Sequence, residues 1–320
     1  MLQFTALERV TLPDGPTHLA IGMFDGVHRG HQSVVQLAVA AARRDAGCAG
    51  VLTFCPHPSV ILRQESPTRL VFDAETKRKL LSGLGIRFFV EHPFTPEFAA
   101  TSAHEFVALL QRFVPGLKAV YVGENFRFGR GREGDIALLK SAAEAAGFAV
   151  VTAPRLQHSG APISSSRLRD LLAQGALEEA NELLGFSYFS KGIVAAGRRL
   201  GRELGFPTLN LPWQPGLMPR FGVYAVRAIG RDGRSYAGVA NYGVRPTVDA
   251  DPAAPLLEVH VLEETALTYG DEVTVQWLRF LRAEQKFATV DALRAQIASD
   301  RQAALAALST LSPREIPMSA

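Results

Sequence analysis

Up to about residue 186 the chain alternates two patterns. Short apolar runs, "HLAIGMF", "AGVLTF", "IRFFV", "KAVYVG" and "FAVVTA", have the length and β-branched content of buried strands. Between them "SVVQLAVAAARRDA", "ETKRKLLSGL", "AHEFVALLQRF" and "IALLKSAAEAAG" place apolar residues three and four apart, the period of a helix with one buried face. Strand and helix in turn predict an α/β domain, a parallel sheet with helices on both faces.

Beyond that point the helices stop. "YFSKGIVAAG", "GVYAVRAIG", "SYAGVANYG", "LLEVHVL" and "EVTVQWLRFLR" follow one another across Gly/Pro turns, and "TVDALRAQIASDRQAALAAL" closes the chain as a helix. Such a run predicts a small barrel or sandwich with one terminal helix against it. The change falls near "NELLGFSYF", dividing the 320 residues into domains 1–186 and 187–320. In "LLEVHVL" the alternation sets Leu257, Val259 and Val261 on one face and Glu258 and His260 on the other.

Charge changes this picture little. Thirty-four Lys and Arg against 31 Asp and Glu leave a formal charge of +3 with no block of like charge. That argues against a nucleic-acid arm or a polybasic membrane patch. No apolar run reaches membrane-span length, and the opening "MLQFTALERVTLPDG" lacks the basic and apolar regions of a signal peptide, so a cytoplasmic protein is expected. Cys48 and Cys55 are too few for a disulfide framework and lack metal spacing, which predicts reduced, buried thiols.

The chemistry collects at strand ends. "FDGVHRGHQ" follows the first apolar run and sets His28 and His31 about one turn apart at the mouth of a helix. Free amides there, with two imidazoles, make a pocket for anionic oxygens; two ordinary surface histidines are the alternative. "ISSSRLR" begins a helix with Ser164, Ser165 and Ser166 at its cap and Arg169 one turn in, a set suited to a triphosphate or to plain capping. "GENFRFGRGREGD" is a Gly- and Arg-rich loop able to fold over a ligand, and "TFCPHPS" holds His57 between prolines in a rigid turn. "GRELGFPTLN" turns through Gly201 and Gly205 and presents Thr208 and Asn210 on one side of an extended segment. Hydroxyl and amide oxygens completed by phosphates are a Mg²⁺ donor set, although a barrel-closing turn would read the same.

Taken in order, "GMFDGVHRGHQ", "TFCPHPSVIL", "VGENFRFGRGREGD", "ISSSRLR", "GRELGFPTLN", "GVANYGVRPT", "LEVHVL", "YGDEVTV" and "LRAEQKF" resemble the bacterial bifunctional riboflavin kinase/FAD synthetases over roughly residues 15 to 305. The resemblance implies a Rossmann-like nucleotidyltransferase domain followed by an antiparallel β-barrel of the riboflavin kinase type. It implies ATP as co-substrate, Mg²⁺ as cofactor, and riboflavin, FMN and FAD as substrates or products. Nucleic-acid and membrane partners are not implied, and self-association is left open. By the same resemblance Glu258 is the general base, and His28 and His31 serve nucleotidyl transfer. ATP is met by Gly22, Phe24, Asp25, Gly30, Asn125, Ser164, Ser165, Arg169, Gly201 and Gly205. The flavin is met by His57, Arg282 and Glu284, and the metal by Thr208 and Asn210. Asn125 stands where many relatives have Asp, and Ser166 where they have Thr. Two readings stay beside this one: a single activity with the other site degenerate, and a non-catalytic flavin-binding protein.

Overall fold

The computed structural model of the chain describes residues 1–196, 205–213, 215–244 and 255–318. They form two compact units, residues 1–165 with 317–318, and the described residues of 166–316.

In the first unit six strands, β1 (Leu2–Phe4), β2 (Thr17–Ile21), β3 (Cys48–Cys55), β4 (Phe88–Pro93), β5 (Leu117–Gly123) and β6 (Ala149–Ala153), form one sheet in the order β1-β4-β3-β2-β5-β6. Every pairing is parallel. The chain leaves β2 toward β3 and β4 on one side and continues through β5 and β6 on the other. The strand order therefore reverses between β2 and β5, and the crevice at their carboxyl ends is where such sheets take ligands.

Strand alternation feeds two layers. Leu19 and Ile21 of β2 and Val120 and Val122 of β5 pack on α5 (Ala103–Phe113) and α6 (Ile136–Ala145), while α1 (Arg29–Arg44) covers the opposite face. The expected helices on both faces are present. Three further helices, α2 (Pro58–Leu62), α3 (Ala74–Gly83) and α4 (Pro96–Ala99), lie in the connections. Local chemistry sets several helix starts. The α5 cap is a reciprocal Ser102–Glu105 box, Asp135 caps α6, and His28 caps α1.

A hairpin of β7 (Gln157–His158) and β8 (Ala161–Pro162) precedes α7 (Ser165–Gln174) and α8 (Leu177–Leu184). Both helices fall almost wholly in the second unit, so the compact division lies earlier than the pattern change at residue 186. Asn181 of α8 is tied into that unit: its Nδ2 donates to the Trp277 carbonyl and its Oδ1 accepts from the Tyr188 amide.

The second unit is an antiparallel sheet of β9 (Phe189–Ile193), β10 (Leu209–Pro212), β11 (Gly222–Gly230), β12 (Ser235–Val244), β13 (Pro255–Val261) and β14 (Glu272–Arg282), ordered β10-β13-β12-β11-β14-β9. The Ala195 amide donates to the Asn210 carbonyl at 2.8 Å and brings the two edge strands together, which decides for a barrel over a sandwich. Tyr188, Tyr224, Tyr242 and Trp277 fill the interior, all fully buried. The C-terminal helix Val290–Thr310 lays Ala304, Ala307 and Leu308 over Ala225 and Leu278 of the sheet.

Three expectations need correction. The apolar run "HLAIGMF" ends as a strand at Ile21, because Phe24 turns into the left-handed region at φ 52°. The prolines around His57 do not simply make a turn; Pro58 opens helix α2, with His57 as its cap. Both cysteines are free, but Cys55 is exposed and Cys48 only half-buried, since β3 carries each to a strand end.

Candidate active sites

The first site is built from the turn between β2 and α1. Phe24 at φ 52°, Gly26 at 80° and Val27 at 45° are left-handed, a conformation costly for a β-branched residue and sustained only where surroundings enforce it. The enforcement is visible. Asp25 Oδ1 accepts from the Val71 amide at 2.9 Å, and the Asp25 carbonyl accepts from Ser165 Oγ at 2.9 Å. Gln32 Nε2 donates to the Val27 carbonyl at 2.8 Å, and Thr53 Oγ1 to the Met23 carbonyl at 3.3 Å. The turn ends at His28, whose Nδ1 accepts from the His31 amide at 3.3 Å. In its neutral form the His28 ring therefore carries its proton on Nε2.

His31 lies flat against His28, with ring centroids 3.7 Å apart and planes at 15°, and meets the edge of Phe24 at 5.4 Å. Burial first, then the positive charges of His28 and Lys77, holds its imidazole well below the ordinary range, so the ring is neutral near pH 7. Gly30 has a packing reason: a Cβ there would stand 3.2 Å from His28 Cε1 and Nδ1. At Gly22 it would stand 3.1 Å from the Phe24 ring.

The other residues expected at this site lie at several places in the fold. Asn125 sits exposed in the turn after β5, on the second strand of the order reversal. Ser164 precedes α7, and Ser165, its first residue, is fastened to the β2–α1 turn through Asp25. Arg169 belongs to the second unit, where its Nη2 donates to Ser166 Oγ at 3.2 Å. His57 Nδ1 accepts from the Ser59 amide at 3.2 Å and lies 2.8 Å from Ser59 Oγ.

The second site is a cavity of about 340 Å³ on the barrel, lined by Thr208, Asn241, Glu258, His260, Arg282 and Glu284 among polar residues, with Phe206, Val223, Val239, Phe287, Leu293 and Ile297 as apolar walls. Glu258 of β13 is directly opposite Asn210 of β10 on one side and Asn241 of β12 on the other. Directly opposed residues of antiparallel strands share a face, so the carboxylate stands between two carboxamides. The predicted alternation holds: Leu257, Val259 and Val261 are buried while Glu258 and His260 face the cavity.

His260 is a packed ring, its Nδ1 donating to the Pro207 carbonyl at 2.9 Å with its edge against Phe206. Arg282, at the end of β14, is forked on Asp300 of the C-terminal helix, Nε to Oδ1 at 2.8 Å and Nη2 to Oδ2 at 2.7 Å. Glu284 Oε1 accepts from Asn241 Nδ2 at 3.4 Å. Gly205 is exposed at φ 86°, and Gly201 lies outside the described residues. A larger hollow of about 610 Å³, lined by Met1, Pro13, Gly47 and Arg87 among others, lies at the amino ends of the parallel strands and gathers no comparable donor set.

The comparisons with known proteins follow the same division. FAD synthetase matches residues 12–167 and riboflavin kinase residues 184–308. The bifunctional riboflavin kinase/FMN adenylyltransferase of Escherichia coli K12 is 38% identical over 283 residues, covering 88% of this chain and 90% of its own. The protein belongs to the bifunctional riboflavin kinase/FMN adenylyltransferase family. The family's Bacillus subtilis member is 35% identical over 297 residues, covering 92% and 93%. A solved Streptococcus pneumoniae structure described as a macrolide-efflux protein superimposes with a TM-score of 0.85 at 27% identity, over 97% of this chain and 99% of that one. Efflux is said of that protein; among the described residues here no helix is long and apolar enough to cross a membrane. This riboflavin kinase/FMN adenylyltransferase is thus an enzyme of flavin biosynthesis with two activities on one chain.

Four residues of these sites escape sequence reasoning. Asn241 and Asp300 become partners of Glu258 and Arg282 only through strand register and helix packing. Thr53 is fully buried beneath the β2–α1 turn. Lys77 had a usable signal: it falls three and four residues before Leu80 and Leu81, on the buried face of α3 where an apolar residue belongs.

Proposed function

We propose that the two activities run in sequence, the barrel making FMN and the parallel-sheet domain converting it to FAD, with catalytic domains 1–186 and 187–320. In the barrel, Glu258 accepts the proton of the riboflavin 5′-hydroxyl as its oxygen attacks the γ-phosphorus of ATP, giving FMN and ADP. The observation that carries this reading is convergence: Thr208, Glu258 and Asn241 line one cavity, and Asn210 faces Glu258 in register.

The donor chemistry fits a hard cation held largely by nucleotide. Thr208 offers a hydroxyl and Asn210 an amide oxygen, and among the described residues no cluster of three His, Cys, Asp or Glu competes as a metal centre. Thr208 and Asn210 would hold Mg²⁺, which when bound neutralises phosphate charge. Arg282 and Glu284 border the flavin.

In the first domain the FMN phosphate attacks the α-phosphorus of a second ATP, and pyrophosphate leaves. The His28 Nε2–H and the neutral His31 ring stabilise the charge that grows on it. The amides opening α1, with Gly22, Phe24, Asp25 and Gly30, shape the phosphate seat, and Asn125, Ser164, Ser165 and Arg169 complete the ATP contacts. His57 meets FMN. The two steps together consume two ATP, and a cytoplasmic enzyme is the reading proposed for this chain.

Paired variants test the assignment, assayed for FMN formation from riboflavin and for FAD formation from supplied FMN. His28→Ala should lower only FAD formation, by about ten- to thousand-fold, the range for one lost transition-state donor. Glu258→Gln should lower only FMN formation, by about a hundred-fold or more. Either variant keeping both rates would remove its residue from the mechanism.

A further inference from the structure

The side chain of Lys77 is nine-tenths buried beneath the nucleotidyltransferase crevice. Its Nζ donates to Thr53 Oγ1 at 3.4 Å, and its nearest carboxylate, Glu91 of β4, lies at 4.0 Å with the facing oxygen making no hydrogen bond. One long hydrogen bond and one loose ion pair are little return for burying an ammonium, and a leucine would suit the apolar face shared with Leu80 and Leu81. The chain of contacts shows what the charge reaches. Thr53 Oγ1 accepts from Lys77 and donates its own hydrogen bond to the carbonyl of Met23, the residue before the left-handed turn. Thr53 and Glu91 sit near the carboxyl ends of β3 and β4, beside the β2 end that the turn extends.

We propose that Lys77 is a positioning residue for adenylyl transfer: through Thr53 it clamps the Met23 carbonyl and so fixes the Phe24–Val27 turn that seats His28 and His31. The inference rests on the assignment of those two histidines to adenylyl transfer. The clamp enters the turn from the sheet side, whereas Val71, Ser165 and Gln32 hold its other polar groups. It fixes the end that carries Phe24, whose ring edge bears on His31. Lys77 also adds positive charge near His31 and so favours the neutral ring.

The test uses the full chain with Lys77→Met, Thr53→Val, their double variant, and Thr53→Ser, which keeps the hydroxyl. FAD formation from FMN is measured as kcat and KM for ATP, per folded molecule from thermal unfolding, beside FMN formation from riboflavin. Lys77→Met and Thr53→Val should each lower kcat about ten- to hundred-fold, the effect of misplacing a catalytic group by about an ångström, with KM for ATP changed less than about threefold. The double variant should be no slower than the slower single, because one chain of contacts is cut twice. Thr53→Ser should stay near the parent rate, and FMN formation should be unchanged throughout. Three results would overturn the proposal: parental kcat in Lys77→Met, losses that multiply in the double variant, or equal loss in Thr53→Ser and Thr53→Val. His28→Ala and His31→Ala separate the two levels. If they retain FAD formation, the assignment beneath the proposal fails; if they lose it while Lys77→Met does not, the proposal alone fails.

Discussion

The rings of His28 and His31 are stacked at 3.7 Å, too close for both to be protonated without strong repulsion. Burial foremost, with His28 and Lys77, holds His31 well below the ordinary histidine value, and burial likewise lowers His18 and His92 in the same unit. The unfolded chain, with ordinary histidines near pH 6.5, then binds more protons than the folded one once pH drops below that value. The stabilisation is complete above about pH 6.5 and is lost as pH falls through the folded values, by at most about 1.4 kcal/mol per pH unit for each ring. Urea midpoints of the first unit should be flat above pH 7 and decline toward pH 5, a window above the carboxylate range. His31→Gln should flatten part of that decline; a parental slope in this variant would exclude His31 as a source.

Thr208 and Glu258 share the barrel cavity, and the metal assignment separates their roles. On that assignment, Thr208→Ala would leave the proposed base in place but remove a hydroxyl from the proposed cation site. The Mg²⁺ concentration for half-maximal FMN formation should rise about tenfold or more, the value of one charged hydrogen-bond-like contact. The Mg²⁺ dependence of FAD formation from FMN should not move. A Mg²⁺ titration of both half-reactions decides it, and an unaltered kinase titration would take Thr208 out of the metal shell.

Asp300 is buried, and its two oxygens take both prongs of the Arg282 fork while Gln296 Nε2 donates to Oδ1 at 2.9 Å. Asp300→Asn keeps the shape but loses the charge and turns one acceptor into a donor. Stability of the barrel should fall by about 1–3 kcal/mol. If the fork aims Arg282 at the flavin, KM for riboflavin should rise while KM for ATP holds. A destabilised variant with parental riboflavin KM would make the pair a strut between strand and helix and nothing more.

Local patterns carried much of this into the sequence. The run 103–113 could be bounded as a helix because Ser102 and Glu105 cap it and its apolar period is unbroken. Glu258 could be set on the cavity face because Leu257 and Val259 alternate with it. What stayed hidden has non-local causes. Strand β1 is three residues without a usable period, ordered by pairing with β4 at Phe88–Val90. Strand β10 lies beside a Gly/Pro-rich stretch and is defined by its register on β13. Phe24 continues an apolar run, and contacts such as those made by Asp25, Thr53 and Gln32 hold it out of the sheet. Arg282 and Asp300 are 18 residues apart on a strand and a helix, a pairing no periodicity announces.

Two glycines offer the sharpest separation of the sites, because each presses on a different assigned side chain. Gly30 is in the first turn of α1 with ordinary backbone angles, where alanine should favour the helix by about 0.5–1 kcal/mol. Its Cβ, however, would stand 3.2 Å from His28 Cε1 and Nδ1, close enough to push the ring by tenths of an ångström. Gly30→Ala should therefore melt no lower than the parent, yet form FAD from FMN about tenfold or more slowly, the cost of a displaced donor. Gly243 presses elsewhere: a Cβ there would fall 2.0 Å from Glu284 Oε1 and must move that carboxylate away from Asn241. Gly243→Ala should weaken riboflavin use and spare FAD formation from FMN. Thermal melts with both half-reactions measured on each variant complete the test. A Gly30→Ala enzyme with parental FAD formation would mean that the placement of His28 does not govern the transfer. A Gly243→Ala enzyme with parental riboflavin kinetics would remove Glu284 from the flavin site.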